Sequence, residues 1–180
     1  MRRRTFLTSI GGAGVVGTAG CLGTGSLSGP DDGDTIDPVT VTTFDAPGSD
    51  AGEITVPQSG TVTVIDMFAT WCGPCKPTID RLATARDRLA VPATFVSVTS
   101  EIFDDSFGKD DVVAWWDEHG GLWTVGHDPD STLMTRLGVT GLPTTVVTDA
   151  EGTVVWTHTG EPDAEWVVDA VRSAADRQEK

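Results

Sequence analysis

Positive charge is scarce in this chain. Twelve lysines and arginines face 27 aspartates and glutamates, giving a formal net charge of −15 over 180 residues. Only Lys76, Lys109 and Lys180 are lysines. So acidic a surface repels phosphate backbones, which excludes nucleic acid as a partner. It also repels itself at low salt, which points to saline surroundings and a halophilic type of surface. Cysteine is scarce too, present only at Cys21, Cys72 and Cys75. No second pair exists to complete a four-thiolate zinc site, and His119, His127 and His158 are not spaced as ligands around the first, so no metal is expected. Long apolar runs are missing: the N-terminal stretch Ile10 to Ala19 is too short and too rich in glycine to span a bilayer. No internal repeat is present. The length suits one domain with a real core plus segments at its ends.

What is present begins with an address. Arg2, Arg3 and Arg4 precede the mild apolar stretch, and Arg3, Arg4, Phe6 and Leu7 resemble a twin-arginine export signal over residues 1–20. Thr18-Ala19-Gly20-Cys21 resembles a lipoprotein cleavage box, with Cys21 as the lipidated first residue. Residues 21–38 then run through Gly, Ser, Asp, Thr and Pro, a composition that reads as a flexible tether. The folded domain is expected over residues 39–180. A domain held outside the membrane works where disulfides persist.

The most informative segment is VTVIDMFATWCGPCK, residues 62–76. An apolar β-run hands over to a helix, and two cysteines with Gly73 and Pro74 between them sit at the junction. Pro74 suits a first helical turn, and Gly73 keeps the approach open for a partner's sulfur. Cys-x-x-Cys alone could be half a zinc site; between a strand and a helix it marks a redox dithiol.

Further elements follow from periodicity. Val39–Phe44 alternates and reads as an edge strand, and Ile54–Val56 leads through a turn at residues 57–60 into the central strand Thr61–Phe68. A helix from the cysteines to Leu89 carries Ile79, Leu82, Ala83 and Arg86 at helical spacing, slightly bent by Pro77. Ala93–Thr99 is a second central strand. Asp110 or Asp111 should cap a helix bearing Val112, the core pair Trp115 and Trp116, and His119, closed by Gly120-Gly121. Leu122–Val125 is a short strand, and Asp130 should cap a helix with Leu133, Met134 and Leu137 ending at Gly138. Thr144–Asp149 and Thr153–His158 form a hairpin. Pro162 opens a last helix with Trp166, Val167, Ala170, Val171 and Ala174 on one face. This order predicts an α/β fold with a mixed central sheet and helices on both faces.

FATWCGPCK resembles the active-site segment of the thioredoxin superfamily, and residues 54–175 resemble its extracytoplasmic, membrane-tethered TlpA/ResA-like branch. Gly141–Thr145 (GLPTT) matches the cis-proline loop, Asp149–Gly160 the hairpin after it, and Glu101–Gly120 the helix-bearing insertion that plain thioredoxins lack. The resemblance implies a thioredoxin-like fold and a thiol–disulfide oxidoreductase. Cys72 would attack a partner's disulfide and Cys75 would resolve the mixed disulfide, closing a redox-active Cys72–Cys75 disulfide with no other cofactor. Asp66 occupies the place of a buried acid that exchanges a proton with Cys75. The lysine that thioredoxins set beside that acid is missing from ATFVSVT. A cis Pro143 would set Leu142 and Thr144 to pair with a substrate strand. Trp71 would shield the dithiol, and Glu101 is a further candidate for tuning it.

The implied partners are disulfide-bearing exported proteins, apocytochromes among them, and a membrane electron donor. The implied place is the outer face of the cytoplasmic membrane, held by the lipid anchor. Gly-Pro between the cysteines favours a reductant. Two alternatives stand beside this: a copper or zinc binding or delivery module, disfavoured because copper-delivery relatives space their cysteines by three residues, and a thiol peroxidase, disfavoured by the Trp-Cys-Gly-Pro-Cys setting.

Overall fold

A computed structural model describes residues 31–177. The export signal, Cys21 and Lys180 lie outside the described residues. Seven strands form one sheet in the order β2-β1-β5-β4-β3-β6-β7: β1 Val39–Thr43, β2 Gly52–Val56, β3 Val62–Phe68, β4 Ala93–Thr99, β5 Thr124–His127, β6 Thr144–Thr148 and β7 Val154–Thr159. β3 pairs parallel with β4 and antiparallel with β6, so the sheet is mixed. Its centre is apolar on both faces, since every residue of β3 and of β6 is buried.

Four helices cover the two faces: α1 Cys75–Arg88, α2 Lys109–Glu118, α3 Thr132–Arg136 and α4 Ala164–Arg177. On one face Val62, Val64 and Phe68 of β3 pack with Ile79 and Leu82 of α1, Trp115 and Trp116 of α2, and Val167, Val168 and Val171 of α4. On the other, Ile65 and Met67 pack with Val96, Val98, Val146, Leu133 of α3 and Leu137 just after it. Alternation along β3 therefore puts Asp66 on the α1 face, in step with Val64 and Phe68.

Several local expectations change. β1 is not an edge strand: it lies between β2 and β5, and β2 is the edge. The N-cap of α2 is Gly108, and Asp111 serves from inside the first turn by accepting the Gly108 N–H at 2.8 Å. β5 starts at Thr124, leaving Leu122 exposed. The N-cap of α3 is Ser131, and Asp128, not Asp130, takes its first-turn N–H groups, from Thr132 at 2.9 Å and Met134 at 3.1 Å. Arg86 is exposed and donates to the Leu122 carbonyl, and Ala85 takes the core side of α1. Pro77 is the third residue of α1, where its missing N–H has no helical carbonyl to lose. Trp166 is half exposed, so the buried stripe of α4 runs through Ala164, Val167, Val168, Ala170, Val171 and Ala174.

Backbone pairing with the sheet also begins before residue 39. Gly33 N–H donates to Val154 O, Val154 N–H to Asp34 O and Ile36 N–H to Gly152 O, at 2.8, 2.8 and 2.9 Å. Ile36 is buried against β1, β2, β6 and β7. The stretch assigned by composition to the tether thus supplies, at its end, a strap along the start of β7.

Candidate active site

β3 ends at Phe68, and the chain turns through Ala69, Thr70 and Trp71 to reach the cysteines. Cys72 N–H donates to Ala69 O at 3.1 Å, and Cys75 N–H donates to Cys72 O at 3.1 Å. Pro74, with φ −66° and ψ −16°, is the N-cap of α1 and Cys75 its first residue. Cys72 therefore lies in the turn ahead of the helix rather than inside it. The two cysteines form a disulfide, with Cα atoms 5.3 Å apart.

Cys75 is 1% exposed and Cys72 4%, so in the disulfide form the first cysteine is buried as well as the second. Gly73 and Pro74 are exposed above them, and a side chain at Gly73 would meet nothing within 4 Å. Trp71 is 75% exposed and stands at the entrance.

The Leu142–Pro143 peptide is cis. Thr144 follows it into β6, pairing with Met67 on one side and Thr159 on the other, so its backbone belongs to the sheet. Thr144 also closes the loop by donating its hydroxyl to Gly141 O at 2.7 Å. Leu142 lies outside the ladder. It lines a cleft of about 190 Å³ with Met67, Trp71, Glu101 and Met134. A second cis bond, Val56–Pro57, falls where only a turn was expected.

Glu101 follows β4 by two residues and holds the loop that carries Trp71. Its carboxylate accepts the Thr70 N–H at 2.9 Å, the Thr70 hydroxyl at 2.7 Å and the Thr99 hydroxyl at 3.0 Å. Its carbonyl lies 2.8 Å from Nε2 of His127, whose ring stacks on Phe103 at 4.0 Å. Glu101 is thus bound to the entry loop and is not a free solvated acid.

Asp66 is 1% exposed on the α1 face of the sheet, the face that holds both cysteines. Burial pushes its carboxyl up to about 7, opposed in part by a hydrogen bond from Ser97. That bond, Ser97 Oγ to Asp66 Oδ2, is 2.8 Å long and joins residues paired across β3 and β4. Trp123 Nε1 donates to Ser97 Oγ at 3.0 Å. Among the described residues Asp66 Oδ1 has no hydrogen-bond partner, nor does the hydroxyl of Thr145, the residue opposite Asp66 on β6. Ser97, Trp123 and Thr145 escaped the sequence reading. A serine in the otherwise apolar run FVSV was the one available signal.

Such a site can exchange disulfides. One sulfur pair sits under an exposed glycine, and an acid that is half ionised near neutral pH lies beneath the same face. Among the described residues no three His, Cys, Asp or Glu side chains cluster as a metal site would need.

The sequence profile of the family described as Redoxin matches residues 32–176. A curated relative, mitochondrial thioredoxin-2 of Schizosaccharomyces pombe, is 38% identical over 56 residues, 29% of this chain. The chain spans about two fifths of that relative, 39% of its length. A solved structure described as a thiol:disulfide interchange protein DsbE from Chlorobium tepidum superposes with a TM-score of 0.66 at 23% identity, covering 81% of this chain and 98% of the other. The exposed lipoprotein thioredoxin of Streptococcus pneumoniae superposes with a TM-score of 0.58 at 21% identity, covering 73% of this chain and 99% of the other. At these identities the superpositions speak to the fold, which is thioredoxin-like.

Proposed function

The chain belongs to the Redoxin family, and from that premise we propose that it is an exported, membrane-tethered thiol–disulfide oxidoreductase that reduces disulfides in extracytoplasmic proteins. One observation carries the reading: the Cys72–Cys75 disulfide lies between the end of β3 and α1, on the sheet face that buries Asp66.

In the reduced protein the Cys72 thiolate attacks one sulfur of the partner's disulfide, forming a mixed disulfide and releasing the partner's other sulfur as thiolate. Cys75 passes its thiol proton to the Asp66 carboxylate. Its sulfur then attacks Cys72, the mixed bond breaks, and the partner's second thiolate departs. Two electrons have moved to the partner, and Cys72 and Cys75 are joined. A carboxyl titrating near 7 is suited to this step, because it is a competent base and still returns its proton on re-reduction. Leu142, Trp71 and the cleft beside them receive the chain around the partner's cysteine, while Pro143 and Thr144 hold that loop in place. A membrane donor restores the dithiol. Exported proteins with disulfides, apocytochromes among them, are the substrates.

The tethered placement draws support from the relatives and from the strap. The pneumococcal relative is an exposed lipoprotein. The strap binds Val154, which pairs with Thr148, itself opposite Thr63 near the start of β3. It therefore enters the domain at the end of the sheet away from the dithiol, so an anchor at Cys21 would leave the site facing outward.

The test is trapping. Cys75→Ser should accumulate a mixed disulfide between Cys72 and a disulfide-bonded peptide, visible on non-reducing gels. Cys72→Ser should form none and lose all reductase activity. Equal trapping by both variants would remove Cys72 from the attacking role.

A further inference from the structure

We propose that Trp123 and Ser97 are positioning residues for Asp66, and that their hydrogen-bond relay leaves Oδ1 as the carboxylate oxygen that takes the Cys75 proton. The inference rests on the exchange reaction proposed above.

The direction of the relay follows from what each group can do. An indole N–H only donates, so Ser97 Oγ, 3.0 Å from Trp123 Nε1, must accept from it. A serine hydroxyl has a single proton. With one lone pair taken by the indole, that proton is directed to Asp66 Oδ2 at 2.8 Å. Oδ2 is thereby fixed as an acceptor. A proton placed on Oδ2 would compete with the Ser97 hydroxyl for the same line, so the proton belongs on Oδ1, which has no partner among the described residues. All three side chains are buried, Ser97 fully and Trp123 at 4% exposure, so no solvent competes for these bonds.

The relay is also built from outside the strands. Trp123 follows α2, and its ring meets the fully buried Trp116 edge-on at 5.1 Å and Phe95 at 5.9 Å. The insertion that carries α2 therefore holds the indole that orders the acid. The relay is neutral, so it stabilises the Asp66 carboxylate through hydrogen bonding and adds no charge beside the sulfurs. The proton balance is simple: Cys75 loses a proton to Oδ1, the Cys75 thiolate attacks Cys72, and no other donor or electron source is required.

The experiment compares the full chain with Ser97→Ala, Trp123→Phe and Asp66→Asn at high salt, each checked for folding by near-UV circular dichroism. Two midpoints are read: the Asp66 carboxyl titration by carbon NMR in the disulfide form, and the acid limb of the pH profile for reducing a disulfide-bonded peptide. Loss of a hydrogen bond to a charged group should raise both midpoints by about one pH unit in Ser97→Ala. Trp123→Phe should move them the same way by less, since it frees the serine hydroxyl to rotate; it also carries the test if Ser97→Ala does not fold. A merely structural role would lower the melting temperature and leave both midpoints in place. Unmoved midpoints in both variants, with the acid limb lost in Asp66→Asn, overturn the relay and spare the exchange reaction. An acid limb that survives Asp66→Asn removes Asp66 from proton exchange, and the relay with it.

Discussion

Burial makes Asp66 the most consequential single residue after the cysteines. Its folded pKa, about 7, lies above the ordinary value of 3.8, so between those values the folded chain holds a proton that the unfolded chain has released. The associated stability is fully present below about pH 4 and is lost as pH rises through about 7. At 1.36 kcal/mol per pH unit the loss across that window is roughly 4 kcal/mol. Asp66→Asn, neutral at every pH, should escape it. Urea unfolding of both proteins at a series of pH values should show the variant gaining on the wild type by that order from pH 4 to 7; parallel curves would deny the burial penalty. The dithiol and this acid were legible in the sequence because local spacing carries them, six and nine residues apart along one strand–turn–helix. Ser97 and Trp123 were not, because they reach Asp66 only through strand pairing and the folding back of α2.

At the scale of elements, the turn between α2 and β5 transmits packing to the site. A Cβ at Gly121 would run into the ring of Trp116, the anchor of α2 on which Trp123 rests. Gly121→Ala should therefore cost about 1–3 kcal/mol of unfolding free energy and blur the tryptophan near-UV signal. An unchanged denaturation midpoint would mean that the turn yields without strain. The strands and helices themselves were readable from their periodicity, since β3 and β4 are continuous apolar runs and α4 has a clear stripe. Their lateral order was not. β1 looks like an edge strand because it alternates, yet β5 pairs with its other side through Thr42 and Thr43. The caps misled for a similar reason: Asp128 reaches α3 from the end of β5, two residues before the aspartate the local pattern favoured.

At the scale of the molecule, charge and chain ends set the operating conditions. With a net charge of −15 and, among the described residues, only three ion pairs, all exposed, added salt screens repulsion and sacrifices little attraction. The melting temperature should rise between 0.1 M and 1 M potassium chloride, where the screening length falls from about 10 Å to about 3 Å. A flat or falling curve would remove the saline reading. Composition placed the domain boundary too late because a single isoleucine, Ile36, amid polar residues gives no periodic signal, although it is buried and its neighbours bind β7. Disulfide exchange requires that Cys72 and Cys75 work as a reversible couple. The most direct test is equilibration of the full chain with a defined dithiol buffer at high salt, reading the fraction of the disulfide. A reversible two-electron couple near the thioredoxin value of roughly −270 mV is the predicted result. A disulfide that does not exchange, or a potential near roughly −120 mV as in strong oxidants, would contradict a reductant.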